Sequence, residues 1–106
     1  MDKAEEIRKL VAAGQYTLSK HAEREREADR ITIEELEKAL AGCEVIEDCP
    51  DDPRGASFLA LGFAGSRPVH AVCALKQDPG ELLLITVYDP SKSPERWAEG
   101  FRRRRT

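Results

Sequence analysis

Apolar residues recur every three or four positions in the first forty residues of the chain, which is the period of helices with one buried face. The pattern predicts three helices, over residues 2–13, over residues 20–28, and from Thr32 to Gly42. Thr32 and Glu35 match a capping box, and Gly42 suits the position that follows a helix. The second helix has almost no apolar stripe, so we expect it to lie on the surface.

From Cys43 onward the apolar period changes to that of strands. Four strands are predicted, over residues 44–47, 57–63, 68–76 and 82–88. Pro94 suits the first position of a last short helix, which would carry Trp97 and Phe101 back onto the body. Helices followed by strands are typical of an α+β fold, in which helices cover one face of an antiparallel sheet. We therefore predict an α+β fold with a four-stranded antiparallel meander and a C-terminal helix.

Length and composition narrow the class of protein. A chain of 106 residues is the size of a single domain, here residues 1–106. No stretch approaches the roughly 20 apolar residues that span a bilayer, so no membrane partner is expected. The first residues are acidic and helical in character, unlike a signal peptide. The expected location is the cytoplasm.

Charge is distributed unevenly along the chain. The net charge is −3, but Arg102–Arg105 supply four positive charges, and residues 1–101 carry 13 basic and 20 acidic residues, a net charge of −7. The arginine run is either a solvated, mobile end or an electrostatic arm for phosphates or an acidic partner. The acidic body argues against a broad nucleic-acid-binding surface and leaves room for a local basic pocket.

Three cysteines fit a reducing compartment. Cys43, Cys49 and Cys73 are an odd number, which does not indicate a disulfide framework, and we expect buried free thiols. Their spacing lacks the fourth ligand and the close pair of a zinc site. Neither a metal nor another cofactor is expected.

Proton-active side chains cluster on the last two predicted strands. Strand alternation places Thr86 and Tyr88 on one face. A three-residue loop at residues 78–80 would put His70 opposite Tyr88, whereas a two-residue loop would put them on opposite faces. Gly80 suits the left-handed position of a three-residue loop, so we favour the first register.

The other histidine lies on the second helix. His21 and Arg24 are three residues apart and share one helical face. Two imidazoles, a phenol and a guanidinium could cleave RNA without a metal, by removing the 2′-hydroxyl proton, protonating the leaving 5′-oxygen and stabilising the phosphorane. DNA lacks the 2′-hydroxyl and could not react in this way. A structural role for each side chain is the competing interpretation, because strand histidines and strand-end tyrosines commonly serve the core.

Several segments, taken in order, cover nearly the whole chain and carry a resemblance. They are Leu18–Ala22, Ile31–Leu36, Glu44–Asp48, Asp52–Ser57, Leu61–Gly62, Arg67–His70, Ile85–Tyr88 and Pro94–Trp97. In these segments the chain resembles the domain of unknown function 4258 family of small bacterial proteins. That family is grouped with RelE-like, BrnT-like and MqsR-like toxins of bacterial toxin–antitoxin systems.

The resemblance implies a RelE-like ribonuclease-toxin fold, metal-independent cleavage of mRNA, and a cognate antitoxin, often of a zinc-finger type. Relatives carry a glycine where this chain has Arg30, which affects the end of the second helix. The hypothesis assigns two sets of residues. The catalytic set is His21, His70, Thr86 and Tyr88. The substrate-binding set is Lys20, Arg24, Arg54 and Arg67.

Two alternatives stay open at this point. The chain could be a non-catalytic module of the same family that binds protein or RNA through Arg102–Arg105 and the acidic helix from Glu23 to Asp29. It could also be a structural component of an operon-encoded complex. A cleft shared by His21, His70 and Tyr88 would favour the enzyme over the binding module, and histidines more than about 10 Å apart with no concavity would favour the module.

Overall fold

The computed structural model describes residues 2–53, 55–76 and 80–105. Three helices form at the predicted places: α1 (Lys3–Ala12), α2 (Lys20–Ala28) and α3 (Ile33–Ala41). Five strands make the main sheet: β1 (Tyr16–Leu18), β2 (Glu44–Cys49), β3 (Ser57–Ala64), β4 (Arg67–Lys76) and β5 (Glu81–Tyr88). Two short 3₁₀ turns follow, Pro90–Lys92 and Pro94–Arg96, and then a two-stranded ribbon of β6 (Trp97–Ala98) and β7 (Arg103–Arg104). The α+β class is confirmed.

The helix starts follow from side chains that satisfy free backbone N–H groups. The Ser19 hydroxyl accepts a hydrogen bond from the Ala22 amide at 3.0 Å and begins α2. Thr32 and Glu35 form the predicted reciprocal capping box, with both hydrogen bonds at 3.0 Å. Gly42 follows α3 as its C-cap. All three predicted helices are present, and α3 begins with the capping box that the sequence predicted.

The prediction of four antiparallel strands is wrong by one strand. The sheet order is β1-β5-β4-β3-β2, and β1 pairs in parallel with β5, Tyr16 opposite Leu82 and Leu18 opposite Leu84. The other pairs are antiparallel. A three-residue strand is too short to show a period of two, so its pairing was not visible in the pattern.

The register of the β4–β5 hairpin brings His70 opposite Tyr88, as predicted, although the predicted reason is wrong. Near the turn Lys76 pairs with Glu81, one position away from the register that a three-residue loop would give. A bulge next to Val72 then shifts the register by one residue. Of the predicted turn at residues 78–80, Asp78 and Pro79 lie outside the described residues, and Gly80 has the predicted left-handed backbone with a φ of 83°.

The core lies between the helices and one face of the sheet. It consists of Ile7, Val11, Ala22, Ile31, Leu36, Ala39, Leu40, Cys43, Ala60, Val69, Ala71, Cys73, Leu82, Leu84 and Val87. Gly62 lets α3 approach β3 closely, because a Cβ there would lie 1.9 Å from the Ala39 carbonyl oxygen. Cys43 and Cys73 are buried thiols as predicted, whereas Cys49 at the end of β2 is exposed, so that part of the prediction is wrong.

The predicted C-terminal helix begins at Pro94 but is a single 3₁₀ turn, Pro94–Arg96, and the ribbon follows where the helix was expected to continue. Glu99, Gly100 and Phe101 have φ values of 54°, 65° and 69°, a left-handed run that turns the chain back on itself. Trp97 still packs onto the body, on the sheet face opposite the helices, with its ring 4.3 Å from that of His70. None of the described helices has the length and apolar character to cross a membrane.

Candidate functional site

His70 is a fully enclosed histidine, with an exposed fraction of 0%. Its Nε2 lies 2.9 Å from the carbonyl oxygen of Phe101, and its Nδ1 lies 3.1 Å from the hydroxyl of Tyr88. A carbonyl only accepts, so Nε2 carries the proton and Nδ1 accepts from the tyrosine. Both ring nitrogens are therefore used inside the protein.

Burial sets the protonation state of this pair. It lowers the pKa of His70 to about 4, so the imidazole is neutral at pH 7. Burial also raises the pKa of Tyr88 to about 12, against a smaller lowering effect of the Arg104 guanidinium. Tyr88 stays a phenol and keeps a proton that it can donate.

Tyr88 opens onto a cleft of about 370 Å³. Three carboxylates and three cations line the cleft with it, together with Pro90, Ser93 and Trp97. The carboxylates belong to Glu25, Asp29 and Asp89, and the cations to Lys92, Arg96 and Arg104. Neither histidine is among the described residues that line the cleft, so the predicted shared cleft contains Tyr88 alone of the three.

Helix α2 forms one wall by sealing the outer edge of β5 beyond the end of β1. The Val87 amide donates to Glu25 Oε1 at 3.1 Å, and the Asp89 amide donates to Asp29 Oδ2 at 2.9 Å. Four residues of a helix rise about 6 Å and two residues of a strand about 6.7 Å, so carboxylates four apart match alternate strand amides. Glu25 and Asp29 are held in place by the backbone they satisfy.

His21 reaches the site through Glu25. Its side chain is 66% exposed, and its Nε2 lies 3.2 Å from Glu25 Oε1, one helical turn along α2. Glu25 also lines the cleft beside Tyr88. The structure thus links His21 and Tyr88 by way of a carboxylate that the sequence analysis did not single out.

Arg67 is clamped by protein acceptors. Its guanidinium lies 3.0 Å from Asp89 Oδ2, 2.9 Å from the Arg30 carbonyl oxygen and 3.3 Å from Glu35 Oε1, and it donates to the Asp29 carbonyl. These contacts tie the start of β4 to the end of α2, the start of α3 and the end of β5. Its predicted substrate-binding role stays a prediction, and in the structure Arg67 fixes the base of the cleft.

The backbone conformation at Arg30 fits the glycine that the family resemblance leads us to expect at this position. Its φ is 55°, in the left-handed region that glycine adopts without strain. The turn it makes directs its carbonyl oxygen at Arg67.

Of the two alternatives for the arginine run, a solvated end or an electrostatic arm, neither is decided, because the arginines are exposed and two of them also bind carboxylates of β2. Arg102 Nε lies 2.6 Å from Glu44 Oε1, and Arg104 Nε lies 2.7 Å from Glu47 Oε2. The Arg104 guanidinium also lies over the Trp97 ring, 4.9 Å from its centroid. Part of the negative charge of the body is thus neutralised within the chain.

The remaining predicted residues have varied positions. Thr86 lies opposite Val72 and on the same sheet face as Tyr88. Lys20 and Arg24 are exposed on α2, and Arg54 lies outside the described residues. Four cleft residues were not predicted from the sequence: Glu25, Lys92, Arg96 and Arg104. The spacing of four between His21 and Glu25 was the one available signal, whereas the C-terminal cations depend on how the chain folds back.

A metal ion has no ready-made cage among residues 2–53, 55–76 and 80–105, where three or more His, Cys, Asp or Glu side chains do not come together in a suitable geometry. The groups that the cleft offers to a ligand are therefore its phenol, carboxylates, guanidiniums and lysine.

Comparisons with known proteins identify a family. No curated protein and no solved structure matches the chain. The family model described as "Domain of unknown function (DUF4258)" matches residues 18–89. The match includes Glu25 and Tyr88 and ends at Asp89, so Lys92, Arg96 and Arg104 of the cleft lie beyond it. Since the match spans more than half of the chain, this protein belongs to the DUF4258 family.

Proposed function

We propose that this protein is a toxin-type RNA endonuclease of a bacterial toxin–antitoxin system, and that it acts without a metal at the Tyr88 cleft. The observation that carries the proposal is the meeting of a phenol, a carboxylate and guanidiniums in one cleft, from Tyr88, Glu25, Arg96 and Arg104. Cleavage of an RNA phosphodiester bond needs a proton acceptor, a proton donor and positive charge, and these groups supply all three.

The chemistry follows from the positions of the groups. Glu25 accepts the proton of the ribose 2′-hydroxyl, and the 2′-oxygen attacks phosphorus. The Tyr88 hydroxyl turns its proton away from His70 Nδ1 and gives it to the departing 5′-oxygen, which leaves a 2′,3′-cyclic phosphate and a 5′-hydroxyl end. Arg96 and Arg104 offset the charge of the phosphorane, and return of the proton from Glu25 to the tyrosinate resets the site.

The two histidines have supporting roles in this proposal. His70 is neutral at pH 7 and holds the Tyr88 hydroxyl from inside the sheet, so it orients the phenol. His21 holds Glu25 from the solvent side. Both differ from the proton-transfer roles expected from the sequence.

A RelE-like fold, a cytoplasmic location and an antitoxin partner belong to the same proposal. Helices on one face of a mainly antiparallel sheet support the fold grouping. mRNA is cytoplasmic, which supports the location. An antitoxin, zinc-finger or otherwise, would inhibit by placing acidic side chains against Arg96 and Arg104, which would otherwise meet phosphate.

A second candidate function is RNA binding without cleavage. The observation that favours it is the enclosure of His70, whose ring nitrogens are both engaged within the protein. In that case the cations of the cleft hold a phosphate and no proton is transferred.

The test compares two tyrosine variants on a labelled mRNA in EDTA. Tyr88→Phe removes the cleft hydroxyl. Tyr16→Phe is the matched control, because the Tyr16 phenol also has its pKa raised to about 12 by burial and donates to Glu37 at 2.6 Å. Tyr16 pairs with Leu82, six residues before Tyr88 on β5, so it lies roughly 20 Å from the cleft.

We expect the wild type and Tyr16→Phe to produce cyclic-phosphate ends, and Tyr88→Phe to be slower by about 100-fold. Fluorescence anisotropy of a labelled RNA measures binding separately. Binding without cleavage by the wild type would select the second candidate. Equal cleavage by both variants would reject the assigned site.

A further inference from the structure

The last described residues form a cover over the sheet face that carries His70. We call residues 99–105 the C-terminal cover. Its Phe101 carbonyl oxygen accepts a hydrogen bond from His70 Nε2–H, and its Arg102 and Arg104 bind Glu44 and Glu47 on β2. The enclosure of His70 therefore depends on a segment that lies beyond the family match.

The cover is hydrogen-bonded to β6 through β7 and Arg105, whereas the contacts that tie its side chains to β2 are ionic and exposed. The Arg102–Glu44 pair has side chains that are 47% and 48% exposed, and Arg104 of the Arg104–Glu47 pair is 59% exposed. Exposed ion pairs are weak and are screened by salt. Competing ions can therefore reach these arginines without first unfolding the core.

The docked cover contains two residues with an unfavourable backbone conformation. Glu99 and Phe101 are non-glycine residues with φ values of 54° and 69°. Left-handed backbone is unfavourable for residues with a Cβ, so release of the cover removes this strain.

A phosphate group bound in the Tyr88 cleft would compete with Glu47 for Arg104. Arg104 lines the cleft and also binds Glu47. Guanidinium groups bind phosphate in the fork geometry that they use for carboxylate. An RNA strand in the cleft would place phosphates next to the arginine that anchors the cover.

We propose that the C-terminal cover is exchangeable: RNA phosphates replace Glu44 and Glu47 as partners of Arg102 and Arg104, and the exchange uncovers His70. This inference rests on the proposed function for the identity of the ligand. The freed Nε2–H of His70 then becomes a donor to the bound strand. The arginine run thus serves as an RNA contact whose resting partner is the protein itself.

The chain contains two histidines, which makes the exchange measurable. Diethyl pyrocarbonate modifies accessible neutral imidazole, and mass spectrometry reads each site. His21, 66% exposed, gives the modification rate of an accessible imidazole in the protein without oligonucleotide, and His70 reports the cover. The probe is a 2′-O-methyl oligoribonucleotide, which lacks the reactive 2′-hydroxyl, added at constant ionic strength.

We expect the oligonucleotide to raise the modification rate of His70 by about tenfold over the rate in the protein alone. The double variant Glu44→Gln/Glu47→Gln should reach a similar rate without oligonucleotide. Glu99→Gln is the matched control, because Glu99 binds Arg103 within the cover at 3.2 Å and does not tie the cover to the sheet. It should leave His70 protected.

Bound oligonucleotide with His70 still protected would overturn the exchange, even if the protein cleaves RNA. Uncovering of His70 by an oligonucleotide in a protein that cleaves no RNA would support the exchange and reject catalysis alone. Protection of His70 in the double Gln variant would overturn the assignment of Glu44 and Glu47 as the anchors.

Discussion

His70 and Phe101 are joined by a hydrogen bond of 2.9 Å from an imidazole Nε2 to a backbone carbonyl oxygen, across 31 residues of chain. The bond fixes the tautomer of His70, and the tautomer in turn makes Nδ1 the acceptor for Tyr88. A residue at the end of the chain thus determines how a phenol at the end of β5 is oriented.

Acid should destabilise the fold through His70. Burial lowers its pKa from 6.5 to about 4, so between these values the unfolded chain binds more protons than the folded one. The free energy of unfolding should therefore fall by about 3 kcal/mol as the pH falls from 6.5 to 4. The measurement is urea unfolding at several pH values, compared with His70→Gln, whose curve lacks this component.

Parallel curves for the two proteins would contradict the prediction. Should His70→Gln fail to fold, NMR titration of the His70 ring protons in the wild type gives the same answer. A midpoint near 6.5 would show that the imidazole is not held neutral by its surroundings.

Arg30 should tolerate glycine better than alanine. Its φ of 55° is strained for any residue with a Cβ, so Arg30→Gly should be more stable than Arg30→Ala by about 1 kcal/mol. The two variants lack the same guanidinium, so the difference reports the backbone alone. Thermal unfolding measures it, and equal midpoints would show that the turn relaxes in alanine.

Gly62→Ala should be strongly destabilising. The new Cβ would lie 1.9 Å from the Ala39 carbonyl oxygen, so α3 must move away from β3 at a cost of about 3 kcal/mol. Gly42→Ala is the control, since nothing lies within 4 Å of a Cβ there and φ is −125°. Chemical denaturation compares the two variants, and similar stabilities would disprove the close helix–sheet contact.

Glu25→Ala should make the Val87 amide at the edge of β5 exchange its hydrogen with solvent more quickly. The Val87 amide would lose its acceptor, and a buried unsatisfied amide costs about 2 kcal/mol. Hydrogen exchange at Val87 should therefore accelerate by at least about tenfold, whereas Glu25→Gln keeps an acceptor oxygen and most of the protection. Glu27→Ala changes an exposed glutamate of the same helix and should leave Val87 unaffected.

Local signals predicted much of this fold. The caps at Ser19 and Thr32 act within a few residues, so their sequence pattern determines where α2 and α3 begin. The pairing of His70 with Tyr88 was also predicted, but it depends on a bulge near Val72 that no turn rule could reveal. His70 was thus predicted opposite Tyr88 from a loop length that the structure does not have. The register of a hairpin depends on its bulges as well as on its loop.

Long-range contacts limited the prediction of the site. Glu25 looked like one charge among many on α2, and its role appears only where it meets Val87, 62 residues later. The arginine run could be a solvated end or an electrostatic arm on sequence grounds, because nothing local indicates that Arg102 and Arg104 meet Glu44 and Glu47. Ion pairs between residues this far apart in the sequence form only in the folded chain, and no regular spacing in the sequence predicts them.

The sealing of β5 has a consequence for how copies of this protein can associate. Short β1 and the side chains of α2 occupy the outer border of β5, and β2 is the terminal strand on the opposite border. A strand of another copy can therefore not pair with β5 beyond β1, and strand-to-strand contact through this sheet has to use β1, of three residues, or β2, of six. The longer β2 offers about twice the length of backbone for such pairing.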